Sequence, residues 1–510
     1  MRADRLLPLN AVCVASGVLA ALSLPSFDLD WLAWVALAPL LYALRQAGPA
    51  RGALGGMLFG MSLGAVSFFW VLVIPSLDPF HFAMMVLVFG VYYLGFGALY
   101  ALAARRVAPA LIVVGPALWV ACEYARGNFF FLAYPWNFLA HSQYRHLALI
   151  QIADFAGAYG VSFVLAAVNQ VVSEIPDLLA DRAARWRKHA LLAGLVIGAT
   201  LLYGVARLSP AAAPPERLRV ALVQANLMAH NGMSVTEQMR HLASYEQLTR
   251  LAAAERPQLI VWPSSSLPGP ISFWMIRLFV SDVAHRAGAP ILVGGAGGDK
   301  FAPARDGLLP YSNSEFLLSS AGQVQAQYDK IRLTPFNEEV PLQGLVAWPR
   351  WLTRVEKGFV PGSRYTIFQV GAGRFGSPIC WENAFPDVFR RFVADGANFM
   401  VSVTNEGVFG DTSGPRQTLA MNVFRAVENR VSVVRAATTG VSAFIDPDGA
   451  IVARVADRQG NDVFVPGYLV RDVPLAQRKS FYTRYGDVFA VTLAIAALLL
   501  VALAPERWRA

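Results

Sequence analysis

The sequence predicts a multi-span α-helical membrane domain joined to an α/β domain of two stacked sheets with helices outside. Three observations carry this. Of the 510 residues, 55% are hydrophobic and 15% charged, against roughly 25% charged in soluble globular proteins. Apolar runs long enough to span a bilayer crowd the first 210 residues, and one more closes the chain. Between them, short apolar runs alternate with stretches of helical period.

A membrane span needs roughly 17–25 residues. The candidate runs are 6–24, 31–44, 54–74, 82–104, 108–124, 157–172 and 190–208, with an eighth at 488–504. The second is short and the sixth carries Asn169. Arg2 and Arg5 precede the first run, Arg45 and Arg51 follow the second, and Arg105 and Arg106 follow the fourth. Arg182, Arg185, Arg187 and Lys188 follow the sixth, and Arg507 and Arg509 the eighth. "PSFDLD" and "PSLDPFH", after the first and third, have no Lys or Arg. One side is therefore consistently basic, and the positive-inside rule makes it the cytoplasmic side, with both termini there. A cleavable leader is the other reading of 6–24, but the charge alternation needs a span at that point.

This divides the chain into a membrane domain of about seven helices (1–209), a domain facing away from the cytoplasm (210–486), and a last span with its tail (487–510). "SPAAAPPER" (209–217) is the linker. Much of the net charge of +9 is accounted for by topology, so it does not point to nucleic acid.

The central domain reads as α/β. Apolar runs at 218–226, 258–263, 290–295, 315–320, 374–381, 397–405 and 432–449 have strand character, and 235–255 and 415–429 have helical period. The cysteines, Cys13, Cys122 and Cys380, are far apart and lack metal-ligand spacing. With no His/Cys cluster and no phosphate loop, neither metal nor cofactor is expected.

Several residues could carry chemistry. Cys380 ends the strand-like "GSPIC", a common placement for a nucleophile, although a lone buried cysteine is more often structural. Lys330 and Glu338 lie in "YDKIRLTPFNEEVPL" (328–342), where a lysine could stabilise an oxyanion; a single lysine is by default a solvated one. Glu382, two residues after Cys380, could orient its neighbours or be a surface carboxylate. "TNEGVFGD" (404–411) is a ligand-type loop after a strand, or an ordinary turn.

Taken together, "VALVQAN", "VWPSSSLP", "YDKIRLTPFNEEVPL", "SPICWENAFPD", "TNEGVFGD" and "RAVENRVSVVRAATTGVSAFIDPDG" resemble the nitrilase (carbon–nitrogen hydrolase) superfamily. With the spans, "CEYARGNFFFLAYPWNFLAHSQ" (122–143) and "GAYGVSFVLAAVNQ" (157–170), the chain resembles the apolipoprotein N-acyltransferases. The resemblance implies an αββα sandwich for the central, nitrilase-like domain. It places the nucleophile at Cys380, the catalytic lysine at Lys330, and the further glutamate of the family's "PFGE" at Glu338, where this chain reads "PFNE". The glutamate after the nucleophile falls on Glu382, behind Trp381 in place of a usual Tyr, and Val408 stands where the family tends to have Trp.

One departure concerns the chemistry itself. The family's "WPE" glutamate is the general base, and here that position is Ser264. Trp262, Pro263 and Pro268 fix the register, and no acid lies between Pro263 and Pro270. A serine hydroxyl is no base near neutral pH, and general base catalysis contributes about 10²–10⁴-fold. Either Glu338 or Glu382 takes the role, or the chain is an inactive relative that binds lipid or lipoprotein, or Ser264 replaces the natural residue.

For an active enzyme, the resemblance implies a two-step exchange. Cys380 takes an acyl chain from a membrane phospholipid, with phosphatidylethanolamine the expected donor, as a thioester. The amine of a diacylglyceryl-cysteine apolipoprotein then accepts it. Water as acceptor would make the chain a membrane-bound amidase instead. The inner membrane of a bacterium, with the catalytic domain in the periplasm, is the expected location. "PISFWMIRLFV" (270–280) reads equally as a core helix or a membrane-contacting loop. "GLVAWPRWL" (344–352), broken by Pro349 and flanked by Arg350 and Arg354, reads as membrane contact.

Overall fold

The computed structural model describes residues 6–75, 77–178, 183–209, 216–229, 233–298, 311–349, 351–352 and 358–505. Arg2, Arg5, Arg182, Arg350, Arg354, Arg507, Arg509 and most of the 209–217 linker lie outside the described residues. The chain divides into two compact units, 1–210 with 412–424 and 485–510, and 211–411 with 425–484.

In the first unit, helices occupy the apolar stretches at Leu6–Leu22, Ala38–Gln46, Pro49–Ser67, Pro79–Arg106, Leu111–Asn128, Ala158–Ser173, Ala183–Arg207 and Val488–Leu503. By length and composition, Pro79–Arg106, Ala108–Asn128 and Ala183–Arg207 can each cross a bilayer. The pair Leu147–Ala156 and Ala158–Ser173, bent by 120°, adds a fourth if counted as one span. Pro49–Ser67 and Pro79–Arg106 pack backbone to backbone through small residues. A Cβ on Gly56 would fall 2.0 Å from the Tyr93 carbonyl oxygen, and one on Gly97 would fall 2.1 Å from that of Gly52.

The expected helix over 31–44 is broken into a 3-10 turn, Asp30–Trp34, and the nine-residue helix Ala38–Gln46. Pro39 sits in the first turn of the latter, where its missing N–H costs nothing. The break frees backbone groups that lipid cannot satisfy. Asn169, fully buried in Ala158–Ser173, supplies the partners. Its Oδ1 accepts from the N–H groups of Leu37 and Ala38 at 2.8 and 3.0 Å. Its Nδ2 donates to the carbonyls of Ala33 and Leu165, both at 2.8 Å. Asn169→Leu should therefore cost about 2–3 kcal/mol, read as a thermal midpoint in detergent lower by about 5–10 °C. An unchanged midpoint would contradict this.

Basic residues gather at one end of this unit. Arg45 and Arg185 share Asp177, at 2.7 and 2.6 Å. A Cβ on Gly48 would lie 3.0 Å from Arg105, and Arg106 donates to the Val501 carbonyl at 3.1 Å. Gln417 ties the segment 412–424 into the unit. Its amide accepts from the indoles of Trp70 and Trp136 at 3.1 and 2.8 Å, and donates to the carbonyls of Pro25 and Ser67 at 3.0 and 2.9 Å.

Among its described residues the second unit holds twelve strands: β1 (Arg217–Gln224), β2 (Leu259–Val261), β3 (Ile291–Gly298), β4 (Tyr311–Leu318), β5 (Val324–Asp329), β6 (Phe368–Val370), β7 (Gly373–Gly376), β8 (Phe399–Thr404), β9 (Ser432–Ala437), β10 (Ala443–Ile445), β11 (Ile451–Arg454) and β12 (Gly467–Pro474). They form two six-stranded sheets, ordered β12-β1-β2-β3-β4-β5 and β11-β10-β9-β8-β7-β6. Each is parallel at its centre, β1–β2–β3 and β7–β8–β9, and antiparallel outside. β1 and β12 lie against β9, so the expected stacked pair of sheets is present. Helices Val235–Ala253 and Trp274–Ala287 close a core with Trp262, Ile291, Val293 and Phe316. The second of these resolves the 270–280 stretch. Ile276 and Val280 enter the core, while Trp274 and Leu278 stay exposed. In the 344–352 loop, Leu345 and Trp351 are exposed as well.

Candidate active site

The chemistry-bearing residues follow the strands. Cys380 comes four residues after β7, and the bridge between Ile379 and Val403 of β8 holds the chain just before it. Cys380 then opens a 3-10 turn, Cys380–Ala384, at φ +51°. A non-glycine residue there costs on the order of 1–3 kcal/mol and persists only where its surroundings impose it.

Glu382 imposes it. Its side chain is fully buried and its carboxylate accepts four hydrogen bonds. Oε2 accepts the Ile379 N–H at 2.9 Å. Oε1 accepts the Tyr328 hydroxyl at 2.9 Å and the N–H groups of Ile331 and Arg332 at 2.9 and 3.0 Å. One carboxylate thus ties the turn carrying Cys380 to the segment that follows β5. Burial pushes Glu382 up, and the N–H groups of Arg332 and Ile379 oppose that.

That segment begins with Lys330, which is 1% exposed. Its Nζ donates to Glu338 Oε2 at 2.5 Å and to Thr334 Oγ1 at 3.3 Å. Glu338 also accepts from the Thr334 N–H at 2.8 Å and from Asn313 Nδ2 at 3.0 Å. Burial alone would lower the Lys330 pKa, but Glu338 and Cys380 outweigh it and hold the ammonium above its usual range. Burial would likewise raise Glu338, and Lys330 holds it below the usual carboxylate range. The pair is therefore ionised through the neutral range. Burial pushes the Cys380 thiol up against the pull of Lys330. A thiol so placed keeps its proton at rest, and its attack requires a proton acceptor.

Ser264 follows β2 by Trp262 and Pro263 and is 1% exposed. Ser265 has φ +57°. Ser266 fastens the loop to β3 through the Gly294 N–H and carbonyl, at 3.2 and 3.3 Å. The three serines are thus a built turn at the carboxyl end of a parallel strand, where α/β sheets place ligands.

Three residues near these elements were not singled out by the sequence. The Asn405 N–H, just after β8, points at Cys380 and favours the thiolate. Glu406 is fully buried and ion-paired with Arg435 of β9. "TNEGVFGD" signalled that loop without singling out either residue. The third is Glu315 in β4, which is fully buried, and neither of its carboxylate oxygens has a hydrogen bond among the described residues. Its signal was an acid standing at the head of the apolar run "EFLLSS". Among the described residues, no group of three His, Cys, Asp or Glu is arranged to hold a metal.

Residues 16–171 match the family model described as the apolipoprotein N-acyltransferase N-terminal domain, and residues 219–481 match that of the carbon–nitrogen hydrolases. A protein of Geobacter metallireducens named apolipoprotein N-acyltransferase is 37% identical over 508 residues, covering 97% of this chain and 95% of its own. Proteins of the same name from Chlorobaculum tepidum and Thermotoga maritima are 29% and 28% identical, covering 96% and 97% of this chain and 96% and 94% of theirs.

Proposed function

The chain belongs to the apolipoprotein N-acyltransferase family, and on that premise we propose that it moves a fatty acyl chain from a phospholipid to the N-terminal amine of an apolipoprotein through a thioester on Cys380. The observation that carries this is the strained turn presenting Cys380, tied by Glu382 to the segment bearing the buried Lys330–Glu338 ion pair.

Lys330 offers a fixed positive charge for the oxyanion of each tetrahedral intermediate, and Glu338 keeps that charge in place. The Asn405 N–H favours the thiolate that leaves in the second step. Covalent catalysis suits the exchange, because a thioester is reactive enough to acylate an amine. Phosphatidylethanolamine is the proposed donor and a diacylglyceryl-cysteine terminus the proposed acceptor. The basic end of the helical unit supports an orientation with that end in the cytoplasm. Both termini would then lie in the cytoplasm and the catalytic domain in the periplasm of a bacterial inner membrane. Leu345, Trp351, Trp274 and Leu278, exposed apolar side chains on the catalytic unit, suit contact with lipid.

The test is transfer itself. Protein in phosphatidylethanolamine vesicles is given a diacylglyceryl-cysteine peptide, and the products are weighed. The expected products are a triacylated peptide and an equal amount of lysophospholipid. Free fatty acid in place of the peptide product would indicate water as acceptor and an amidase-like reaction. No lysophospholipid at all would indicate a binding protein.

A further inference from the structure

We propose that Glu315 supplies the carboxylate that position 264 lacks, taking the Cys380 proton as general base. This rests on Cys380 being the nucleophile.

The register of the first sheet places Glu315 opposite Gly294 of β3 on one side and Tyr328 of β5 on the other. Residues directly opposite share a face, and so do residues two apart on one strand. Glu315 therefore shares a face with Asn313, which donates to Glu338, and with Tyr328, which donates to Glu382. Its side chain reaches sideways over Gly294. A Cβ added there would meet Glu315 Oε1 at 2.5 Å, the Ser264 Cα at 2.7 Å and the Ser265 nitrogen at 2.8 Å. The Glu315 carboxyl and the backbone of Ser264 are thus neighbours across a space that only a glycine leaves open. The turn after β2 carries no carboxyl, and one arrives beside its backbone from two strands away.

The alternatives are committed elsewhere. Glu338 is bound to Lys330, Thr334 and Asn313 and held in its weakly basic form. Glu382 is saturated by four donors. Among the described buried carboxylates, Glu315 alone has both oxygens without a hydrogen bond. Such a group costs stability, and packing gives no reason to keep it. Burial also pushes its pKa well above the usual carboxylate range, which makes its anion a stronger base than an ordinary carboxylate.

The proton balance closes over both steps. The Cys380 S–H bond breaks, the proton passes to Glu315, and the sulfur pair forms the bond to the ester carbonyl carbon. When the intermediate collapses, the C–O bond breaks and the departing alcohol takes the proton from Glu315. In the second step the attacking amine gives a proton to Glu315, which returns it to sulfur as the C–S bond breaks.

Single-turnover acylation by phosphatidylethanolamine vesicles, followed by intact mass across pH, tests this in four forms of the full chain. These are wild type, Glu315→Gln, the exchange variant Ser264→Glu/Glu315→Ala, and Cys380→Ala. Glu315→Gln should slow acylation by about 10²–10⁴-fold, and the exchange variant should recover at least about tenfold of that. Wild-type acylation should rise with pH beyond the usual carboxylate range, and the exchange variant should rise at lower pH. Glu315→Gln replaces an unpaired acid with a near-isosteric amide, so its fold should survive. Its melting temperature relative to wild type should climb as pH rises from the usual carboxylate range toward the raised folded pKa of Glu315, because over that window the unfolded chain ionises Glu315 and the folded chain does not. A Glu315→Gln rate within about threefold of wild type would overturn the proposal, as would an exchange variant no faster than Glu315→Gln. No mass gain in wild type would instead overturn the Cys380 reading on which it stands.

Discussion

Lys330→Met is expected to lower the rate of Cys380 acylation by at least about 10²–10³-fold, the usual cost of removing an oxyanion donor, and to destabilise the catalytic unit. The substitution leaves Glu338 buried without its cation, and breaking a buried pair from one side costs about 3–5 kcal/mol. The double variant Lys330→Met/Glu338→Gln separates the two effects. It removes the orphaned charge, so stability should return while acylation does not. The pH dependence has a definite sign. The Glu338 pKa is lowered in the folded chain, so the pair's contribution is present above the unfolded carboxylate range and is lost as pH falls through the lowered value. The stability gap between wild type and Lys330→Met should therefore close in acid. Recovery of acylation in the double variant would mean that Lys330 serves only to neutralise Glu338.

Glu382→Gln is the second large effect, and here a near-isosteric change should not be mild. Each of the four groups around Glu382 donates: the Tyr328 hydroxyl and the N–H groups of Ile331, Arg332 and Ile379. A glutamine keeps one acceptor oxygen, so its NH₂ must face a buried N–H. The expected cost is about 2–4 kcal/mol, together with loss of the restraint that holds Cys380 at positive φ. Alkylation of Cys380 by iodoacetamide should change in rate even where the variant is fully folded. Tyr328→Phe removes one donor of four and should cost only about 1 kcal/mol. Equal effects of the two variants would show that Glu382 is not the group imposing the turn.

What could be read from the sequence, and what could not, follows from the range of the interactions. The apolar runs and the strand exit at Cys380 are local patterns, and the structure carries helices, strands and a turn there. Strands β5, β6, β11 and β12 escaped, and all four are edge strands; in β5 and β11, polar, exposed residues such as Gln325, Gln327 and Arg454 break an apolar run. Asn169 looked like a flaw in a span, yet it satisfies a break 131 and 132 residues earlier in the chain. The role of Gln417 in the helical unit was likewise invisible without its four partners. Ser264 stands in the sequence where the resemblance leads one to expect an acid. Glu315 was not legible as its neighbour, because only strand register shows that residues 264, 294 and 315 meet.

The measurement that bears most directly on this account is the intact mass of the purified protein after incubation with phosphatidylethanolamine, beside Cys380→Ala. The account predicts a gain of one acyl chain, labile to hydroxylamine, in wild type and none in Cys380→Ala. An equal gain in both, or no gain in wild type under conditions where lysophospholipid is released, would contradict a thioester on Cys380.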